Sequence, residues 1–529
     1  MDQAKAGARG FVVVFDAGSS GTRVHIYNFL PHAVGDAVPA IDPRVNDVQT
    51  LKQKPGLSYI AETFSAKDAP VHVANALNPL LDFARSFVPR EQWSSTPLVL
   101  KATAGLRAVE PAAAARVVDA VADVFSNSGF MFERNWAGII SGNEEGGLAW
   151  VTANYLKGTF LHEGPATNDD AQPVGIIEMG GGSTQVAFRM HDLQAFDHLD
   201  DDPSRPKRRF LFTDISGRRH NVYALSYLGF GQDHAQRRLT AHLDRADDKV
   251  DPCYRPAYTR DGNDGARSII QGGGNFDQCM LLVRNVLFSP TMPDQPPLIP
   301  GQTLPGGSTG GVFVQPHLAG KFIATENYWY TRRSPDIKPE ASLSLDDDTV
   351  HALGKRFCAD SSGEKDANGQ FVFDRNNRYC FGLAFQTVLL EELSAVGVLQ
   401  PTITKNIGGS DLDWALGAAV VHFSTHEKQL TRLWGGHGWK LMPRGSARVG
   451  AGAGSGRLAY FGNVLFHRPL EVAVVLAVLL GLFYHFVGRR RRRGAGRAGT
   501  RGSGGGTDRH LALAKRGGRS ADFELAKSV

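Results

Sequence analysis

Two short stretches of the sequence combine a carboxylate with a run of small polar residues, and each follows an apolar run. The first is DAGSSGTR at residues 16–23, and the second is EMGGGSTQ at residues 178–185. Glycine lets the backbone approach an anion closely, and successive N–H groups in a tight turn form an anion-binding concavity. Two such turns that face each other across a cleft would hold adjacent phosphate groups between them.

The carboxylates of the two turns are Asp16 and Glu178. A carboxylate beside phosphate repels it unless a hard divalent cation lies between the two groups. The pattern therefore predicts a Ca²⁺ or Mg²⁺ site at Asp16 and Glu178, held partly through water molecules. Neither turn has the G-x-x-x-x-G-K-[ST] sequence of the P-loop, and either turn alone is also typical of a structural β-turn.

The elements that carry the turns alternate along the chain in the manner of an α/β protein. Both turns join two apolar strands, and the repeat of this unit after about 160 residues predicts two duplicated lobes that face each other. A further strand is predicted over residues 97–103, and helices are predicted over residues 111–125, 144–156, 380–398 and 411–423. Residues 192–219 and 289–311 are rich in charged residues or in Pro and Gly and are interpreted as surface insertions.

Five segments of the chain, in this order, resemble the conserved regions of the apyrases, the nucleoside triphosphate diphosphohydrolase family. They are FDAGSSGTRVHIYNF at 15–29, KATAGLRAV at 101–109, IISGNEEGGLAWVTANYL at 139–156, IIEMGGGSTQVAF at 176–188 and GGSDLDWALG at 408–417. The resemblance implies an actin-like (ribonuclease H-like) two-lobed fold with the active-site cleft between the lobes. It also implies stepwise hydrolysis of nucleoside tri- and diphosphates to monophosphates with Ca²⁺ or Mg²⁺.

The resemblance places the catalytic base at Glu145, in the segment NEEGGLAW, where it would activate the attacking water. Glu144 is the neighbouring candidate, but consecutive side chains on a helix point about 100° apart, so only one of the two can face the cleft. Ser183 and Gln185 would hold the water. Alternate residues of a strand share one face, which suits a joint role for this pair.

The phosphates, by the same resemblance, would be bound along both turns, at the acid, Gly, Ser and Thr residues. The positions are Asp16, Ala17, Gly18, Ser19, Ser20, Gly21, Thr22 and Arg23 in the first turn, and Gly180, Gly181, Gly182, Ser183 and Thr184 in the second. Thr103 and Arg107 would line the metal and phosphate region, although Arg107 could instead form a structural ion pair. The family usually has Asp where this chain has Glu178.

The nucleobase, in relatives of this kind, stacks on an aromatic side chain at the position of Trp414. Its partner would be Tyr330 in ENYWYT at residues 326–331, with Tyr328 as the second candidate. These rings could instead belong to an ordinary core. Asp411 stands where the family has an acid before the tryptophan and would order the loop.

The four cysteines permit two local disulfides, Cys253–Cys279 and Cys358–Cys380, or four buried thiols. The second of these pairs resembles a disulfide of the family. Disulfides persist in secretory compartments, so the choice depends on which side of a membrane the chain occupies.

A membrane helix is predicted over residues 470–488, which are almost wholly apolar and are followed by five arginines. The positive-inside tendency puts the basic tail in the cytoplasm and the catalytic part in the Golgi or secretory lumen or outside the cell. The first ten residues lack the apolar core of a signal peptide, which leaves a tail anchor or a longer N-terminus. Residues 489–529 carry twelve Lys/Arg and three Asp/Glu, so the rest of the chain is mildly acidic and a nucleic-acid partner is not implied.

The sequence therefore predicts a membrane-anchored apyrase that binds the lipid bilayer through one helix. Its segments are a tail at 1–10, the first lobe at 11–143, the second lobe at 144–410, a return to the first lobe at 411–440, a linker at 441–469, the membrane helix at 470–488 and the tail at 489–529. The alternatives are a luminal GDPase/UDPase of the same family, a polyphosphatase or sugar kinase of the same fold, and a nucleotide-binding membrane protein without turnover.

Overall fold

The fold is seen in a computed structural model, which describes most residues between 10 and 435. The described ranges are 10–29, 49–160, 172–189, 209–215, 218–256, 258–262, 269–288, 318, 320–332, 347–360, 377–393 and 401–435. The helices are α1 (Leu57–Thr63), α2 (Ala69–Phe87), α3 (Ala104–Arg107), α4 (Pro111–Ser126), α5 (Gly142–Leu156), α6 (Gln232–Arg245), α7 (Phe276–Leu287), α8 (Asn327–Arg332), α9 (Asp347–Ala359), α10 (Asn377–Leu393) and α11 (Trp414–Gly435). Short 3₁₀ helices span Arg90–Ser95 and Arg134–Trp136.

The strands form two large mixed sheets and two small ones. They are β1 (Gly10–Gly18), β2 (Gly21–Phe29), β3 (Thr50–Gln53), β4 (Leu98–Ala102), β5 (Ala137–Ile139), β6 (Gly175–Met179), β7 (Ser183–Arg189), β8 (Arg209–Ile215), β9 (Arg218–Leu228), β10 (Val250–Asp251), β11 (Thr259–Asp261), β12 (Ile269–Gly272), β13 (Phe322–Glu326), β14 (Thr402–Ile403), β15 (Asn406–Ile407) and β16 (Ser410–Asp411). The α/β class predicted from the sequence is confirmed.

The first large sheet has the strand order β3-β2-β1-β4-β5. Its central strand β1 pairs antiparallel with β2 and parallel with β4. Alternate side chains of β1 enter two different cores: Val13 and Phe15 pack in one with α2 and α4, and Val12 and Val14 pack in the other with α5 and α11. A strand covered on both faces needs the continuous apolar run that this segment has.

The second large sheet has the order β14-β13-β6-β7-β9-β8. Its strand β6 pairs antiparallel with β7 and parallel with β13, as β1 does with β2 and β4. The two sheets therefore repeat one arrangement, with β8 as an additional edge strand. The turns at residues 16–23 and 178–185 occupy equivalent places, each between the central strand and its antiparallel neighbour.

Helices α5 and α11 join the two halves of the fold at the cleft. Thr152 Oγ1 donates to the carbonyl of Asp413 and accepts from the Gly417 N–H, both at 2.8 Å. A Cβ at Gly417 would lie 2.0 Å from the carbonyl oxygen of Leu148. Only glycine allows this close approach, which fixes the start of α11 against α5.

Three details differ from the sequence-based expectations. Residues 209–215 and 218–228 form the hairpin β8–β9 of the second sheet, so the interpretation of 192–219 as a surface insertion is wrong for its last part. The helix expected from residue 411 begins at Trp414, because Asp413 Oδ1 accepts from the Ala415 N–H at 2.9 Å and caps it. The lobe boundary at 143/144 falls inside α5.

The cysteines form the two local pairs, so none of the four is a free thiol. Cys253–Cys279 joins the segment after β10 to α7, and Cys358–Cys380 joins α9 to α10. Within the described ranges no helix is long and apolar enough to cross a bilayer. The segments predicted at 1–9, 289–311, 441–469, 470–488 and 489–529 lie outside the described residues.

Candidate active site

An open cleft of about 140 Å³ lies where the turns after β1 and β6 meet. Both turns, α3, α5, β13 and the start of α11 contribute to its wall. The residues that line it are Asp16, Gly18, Ser19, Ser20, Gly21, Arg23, Lys52, Thr103, Ala104, Glu145, Glu178, Gly180, Gly181, Gly182, Ser183, Glu326, Asp413 and Trp414. Its volume accommodates several water molecules or a phosphate group.

The first turn is held from behind by close backbone contacts. A Cβ at Gly56 would lie 2.7 Å from the carbonyl oxygen of Gly18, and a Cβ at Gly105 would lie 2.8 Å from the Cα of Ser19. Glycine at both positions lets α1 and α3 support the turn. On the cleft side, Lys52 Nζ donates to Ser20 Oγ at 2.8 Å, which adds a cation to the turn.

The second turn is held by the start of α6. The backbone N–H of Gln232 donates to the carbonyl of Gly180, and that of His234 donates to the carbonyl of Gly181, both at 3.0 Å. Among the described residues, no backbone carbonyl accepts a hydrogen bond from the N–H of Gly181 or Gly182. These groups are therefore available to an anion in the cleft.

The two turns approach each other closely. A Cβ at Gly181 would lie 3.7 Å from Ser19 Oγ, and a Cβ at Gly182 would lie 3.0 Å from the Cβ of Ala104. A ligand that reaches the bottom of the cleft therefore contacts both turns at once.

Glu145 lies on the wall between the turns and is buried in α5. Arg107 Nη2 donates to its Oε2 at 2.8 Å. Gln185 Nε2 lies 3.3 Å from the same oxygen and 2.6 Å from Ser183 Oγ. Burial raises the pKa of Glu145, and the Arg107 guanidinium opposes this rise. A carboxylate that is more basic than usual and surrounded by donors can take a proton from a bound water.

Glu144 points away from this group. Its Oε2 accepts from the Ser141 N–H at 2.8 Å, while its own N–H donates to Ser141 Oγ at 3.1 Å. The two residues thus form a capping box at the start of α5. The structure brings Glu145, not Glu144, into the cleft.

The carboxylates Asp16 and Glu178 have the character of cation ligands. Asp16 Oδ1 and Glu178 Oε2 are enclosed and have no hydrogen-bond partner in the described part of the chain. Burial raises the pKa of both groups well above the ordinary value, and nearby carboxylates raise it further. Among the described residues, no group of three or more His, Cys, Asp or Glu side chains is arranged to hold a metal ion. This donor set fits a hard divalent cation that completes its shell with water and phosphate oxygens.

Several other predicted residues lie beside the cleft without lining it. Thr184 Oγ1 donates to the carbonyl of Phe230 at 2.6 Å, because alternation along β7 turns it away from Ser183. The side chains of Ala17 and Thr22 are also buried. Arg107 donates to the carboxylate of Glu145 and to the carbonyl of Ile140. It is not among the residues that line the cleft, and its ion pair with Glu145 is the alternative that was considered for it.

The aromatic residues are placed differently from one another. Trp414 reaches the cleft with a small part of its surface, because it is 5% exposed and otherwise packs in the core with α5. Tyr328 is fully enclosed in the core of the second sheet and has no free face for a base. Tyr330 is 51% exposed and lies in α8, four residues after Glu326.

Four residues that line the cleft were not predicted from the sequence: Lys52, Ala104, Glu326 and Asp413. The acid that lines the cleft beside Trp414 is Asp413 and not the predicted Asp411. The side chain of Asp411 is 69% exposed and pairs with Lys405. Asp413 Oδ2 lies 3.3 Å from Arg23 Nη1. Its position directly before Trp414 was the available signal, whereas nothing local marks Lys52.

Comparison with known proteins identifies the family. Residues 2–433 match the model of the GDA1/CD39 (nucleoside phosphatase) family. The chain belongs to this family. A GDA1/CD39 relative, probable apyrase 6 of Arabidopsis thaliana, is 30% identical over 80% of this chain and 74% of its own length. The ectonucleoside triphosphate diphosphohydrolase 5 of Mus musculus is 35% identical over 77% of this chain and 86% of its own length.

Two further proteins extend the comparison. The Golgi apyrase of Saccharomyces cerevisiae is 31% identical over 61% of this chain and 53% of its own length. The crystal structure of nucleoside triphosphate hydrolases from Neospora caninum has a TM-score of 0.58 at 17% identity, and covers 82% of this chain and 95% of that one. This likeness shows a shared fold. The apyrase family and the class of enzyme predicted from the sequence, a nucleotide hydrolase, are confirmed.

Proposed function

We propose that this GDA1/CD39 protein hydrolyses nucleoside tri- and/or diphosphates to monophosphates and phosphate. The observation that carries the proposal is that Glu145 lines one cleft with both Gly/Ser turns and lies within reach of Gln185 and Arg107. A base, a water site and two anion-binding turns are the parts that hydrolysis of a phosphoanhydride requires.

In the proposed reaction, Glu145 accepts a proton from a water held near Ser183 Oγ and Gln185 Nε2. The water oxygen then attacks the terminal phosphorus, and the bond from that phosphorus to the bridging oxygen breaks. Arg107 keeps the carboxylate of Glu145 in position. The backbone N–H groups of Gly181 and Gly182 face the phosphate charge that develops.

Asp16 and Glu178 would hold a Ca²⁺ or Mg²⁺ ion, directly or through water. Such an ion, when bound, neutralises charge on the phosphate oxygens. The enclosed oxygens of both residues, which have no hydrogen-bond partner among the described residues, support this role. Thr103, Ser19 and Ser20 line the same part of the cleft and add hydroxyl donors.

The nucleobase would stack on Trp414, with Tyr330 as the second ring. Trp414 lies in the wall of the cleft, and the exposure of Tyr330 leaves its ring free to close over a base. Stacking uses the π-face that every base has, so this pair supports binding of nucleotides in general.

We also propose that the chain is held in a membrane of the secretory pathway by residues 470–488, with its catalytic part in the lumen or outside the cell. The name of the yeast relative, Golgi apyrase, and two disulfides in the catalytic part support this placement. A luminal GDPase/UDPase is the alternative within the family.

A substrate panel tests the proposed function. Phosphate release by the purified chain is measured with ATP, ADP, GDP, UDP and inorganic polyphosphate, each with Mg²⁺ or Ca²⁺. Release from nucleotides supports an apyrase, and a strong preference for GDP and UDP favours the luminal diphosphatase. Release from polyphosphate alone, or from none of the substrates, would contradict the proposal and leave the phosphatase or the non-catalytic binding protein.

A further inference from the structure

Glu326 lines the cleft but has no part in the proposed reaction. It is the last residue of β13, and its backbone has φ of +60°. Among the described residues it is the only non-glycine residue with positive φ. A glutamate in this conformation is strained, and such strain persists where the surrounding structure holds the residue in place.

The surrounding structure does hold it. Glu326 pairs in parallel register with Met179, directly before the second turn. The next residue, Asn327, donates from Nδ2 to the carbonyl of Met179 at 3.0 Å, and its own carbonyl accepts from Gln386 Nε2 at 2.8 Å. These bonds fix the end of β13 to the end of β6, so the Glu326 carboxylate is presented to the cleft by a rigid support.

Glu326 shares the wall of the cleft with residues of both turns and with Trp414, and Tyr330 follows it by four residues in α8. Arg23 and Lys52, which stand at the first turn, attract its carboxylate, and Asp413 and Asp411 at the start of α11 repel it. Burial, and then the charge of Glu326, raise the pKa of Tyr330 to about 12. The carboxylate therefore lies in the same wall of the cleft as the groups that would bind phosphate and the tryptophan that would bind the base.

A carboxylate in this place needs hydrogen-bond donors from the ligand, because it accepts but does not donate when ionised. In a nucleotide the group between the phosphates and the base is ribose, and its 2′- and 3′-hydroxyls are such donors. Carboxylates bind ribose hydroxyls in this way in dinucleotide-binding proteins. We infer that Glu326 accepts hydrogen bonds from the ribose hydroxyls and makes the enzyme prefer ribonucleotides. This inference rests on the proposed function.

The test compares a ribonucleoside diphosphate with its 2′,3′-dideoxy counterpart, using whichever of ADP, GDP and UDP has the highest kcat/KM. We expect the full chain to prefer the ribonucleotide about tenfold to hundredfold, as for hydrogen bonds to a charged group. Glu326→Ala should bring this ratio close to one, mainly through a higher KM for the ribonucleotide, while the constants for the dideoxynucleotide change little.

Two further variants make the result decisive. Glycine readily adopts the positive φ of this position, so Glu326→Gly should fold even if Glu326→Ala does not. Glu326→Gly should lose the preference for the ribonucleotide to the same extent. Asp411→Asn removes a nearby exposed charge that pairs with Lys405. This variant should keep the preference for the ribonucleotide.

The inference is overturned if the wild type does not distinguish the two sugars, or if the Glu326 variants keep the preference. It is also overturned if the Glu326 variants lose activity equally on the ribonucleotide and the dideoxynucleotide and regain it at a higher concentration of divalent cation. That result would make Glu326 a cation ligand. Absence of hydrolysis with every nucleotide would instead overturn the proposed function itself.

Discussion

At the scale of single residues, Glu145 is buried at the cleft and its carboxylate contacts two other polar side chains. One of its oxygens is within hydrogen-bond distance of Arg107 and Gln185. Glu145→Gln keeps the shape but cannot take a proton, so we expect kcat to fall by about 10²–10⁴. The dissociation constant of a nucleotide should change by less than about threefold. Single-turnover kinetics and equilibrium binding of nucleotide measure the two quantities.

Glu144 provides the matched control for this substitution. Glu144→Gln keeps a side-chain oxygen that accepts from the Ser141 N–H, so it should weaken the cap of α5 by less than about 1 kcal/mol and leave kcat near normal. If Glu144→Gln lost turnover while Glu145→Gln kept it, the assignment of the base would be wrong.

Arg107 controls the basicity of Glu145. Burial raises the pKa of Glu145 and the guanidinium lowers it, so Arg107→Met should raise that pKa further. The base must be ionised to act, so the acid limb of the kcat/KM profile should move to higher pH. At a fixed pH below the pKa of Glu145, each unit by which that pKa rises should lower kcat/KM about tenfold. Arg107→Lys should restore part of the shift. A profile from pH 5.5 to 9 measures it, and an unchanged acid limb would show that Arg107 does not act through Glu145.

At the scale of elements, α11 contains a histidine that stays neutral in the fold. His422 is buried between the Trp136 ring, at 4.6 Å between centroids, and the His426 ring, at 4.3 Å. Burial, then His426 and Lys101, lower the pKa of His422 to about 3. The unfolded chain binds a proton below about pH 6.5, so this group reduces stability progressively as the pH falls from there toward 3.

His422→Phe keeps the ring against Trp136 and removes the titration. Between pH 7.5 and pH 5, the free energy of unfolding should fall by about 2 kcal/mol less in the variant than in the wild type. The reason is that pH 5 lies about 1.5 units below the pKa of this histidine in the unfolded chain. Denaturant unfolding at both pH values measures the difference. An equal loss in both proteins would mean that His422 is already protonated in the native state.

The elements themselves were predictable where a pattern is local. The apolar run of β1 and the proline that opens α4 mark these elements in the sequence. The start of α11 was placed three residues early because the Asp413 cap was not recognised. The hairpin β8–β9 was missed because charged residues around it resemble those of a surface loop, whereas pairing with β7 makes it part of the sheet.

At the scale of the whole molecule, the two sheets bring together residues that are far apart in the sequence. Asp16 and Glu178 could be found because both belong to the repeated strand–turn–strand unit. Lys52 and Glu326 could not, because they reach the cleft only through the pairing of β3 with β2 and of β13 with β6. Such long-range pairing has no local signal in a single sequence.

The balance of charge in the cleft gives the last prediction. Among the described residues, its wall contains five carboxylates, of Asp16, Glu145, Glu178, Glu326 and Asp413, but only two cationic side chains, Arg23 and Lys52. Removal of divalent cations should therefore abolish nucleotide hydrolysis, because an unscreened phosphate chain is repelled from this wall. Hydrolysis should return on addition of Mg²⁺ or Ca²⁺. Asp16→Asn and Glu178→Gln should each raise the cation concentration required for half-maximal rate. Circular dichroism in EDTA checks that the fold is kept, and full activity in excess EDTA would exclude the cation role of Asp16 and Glu178.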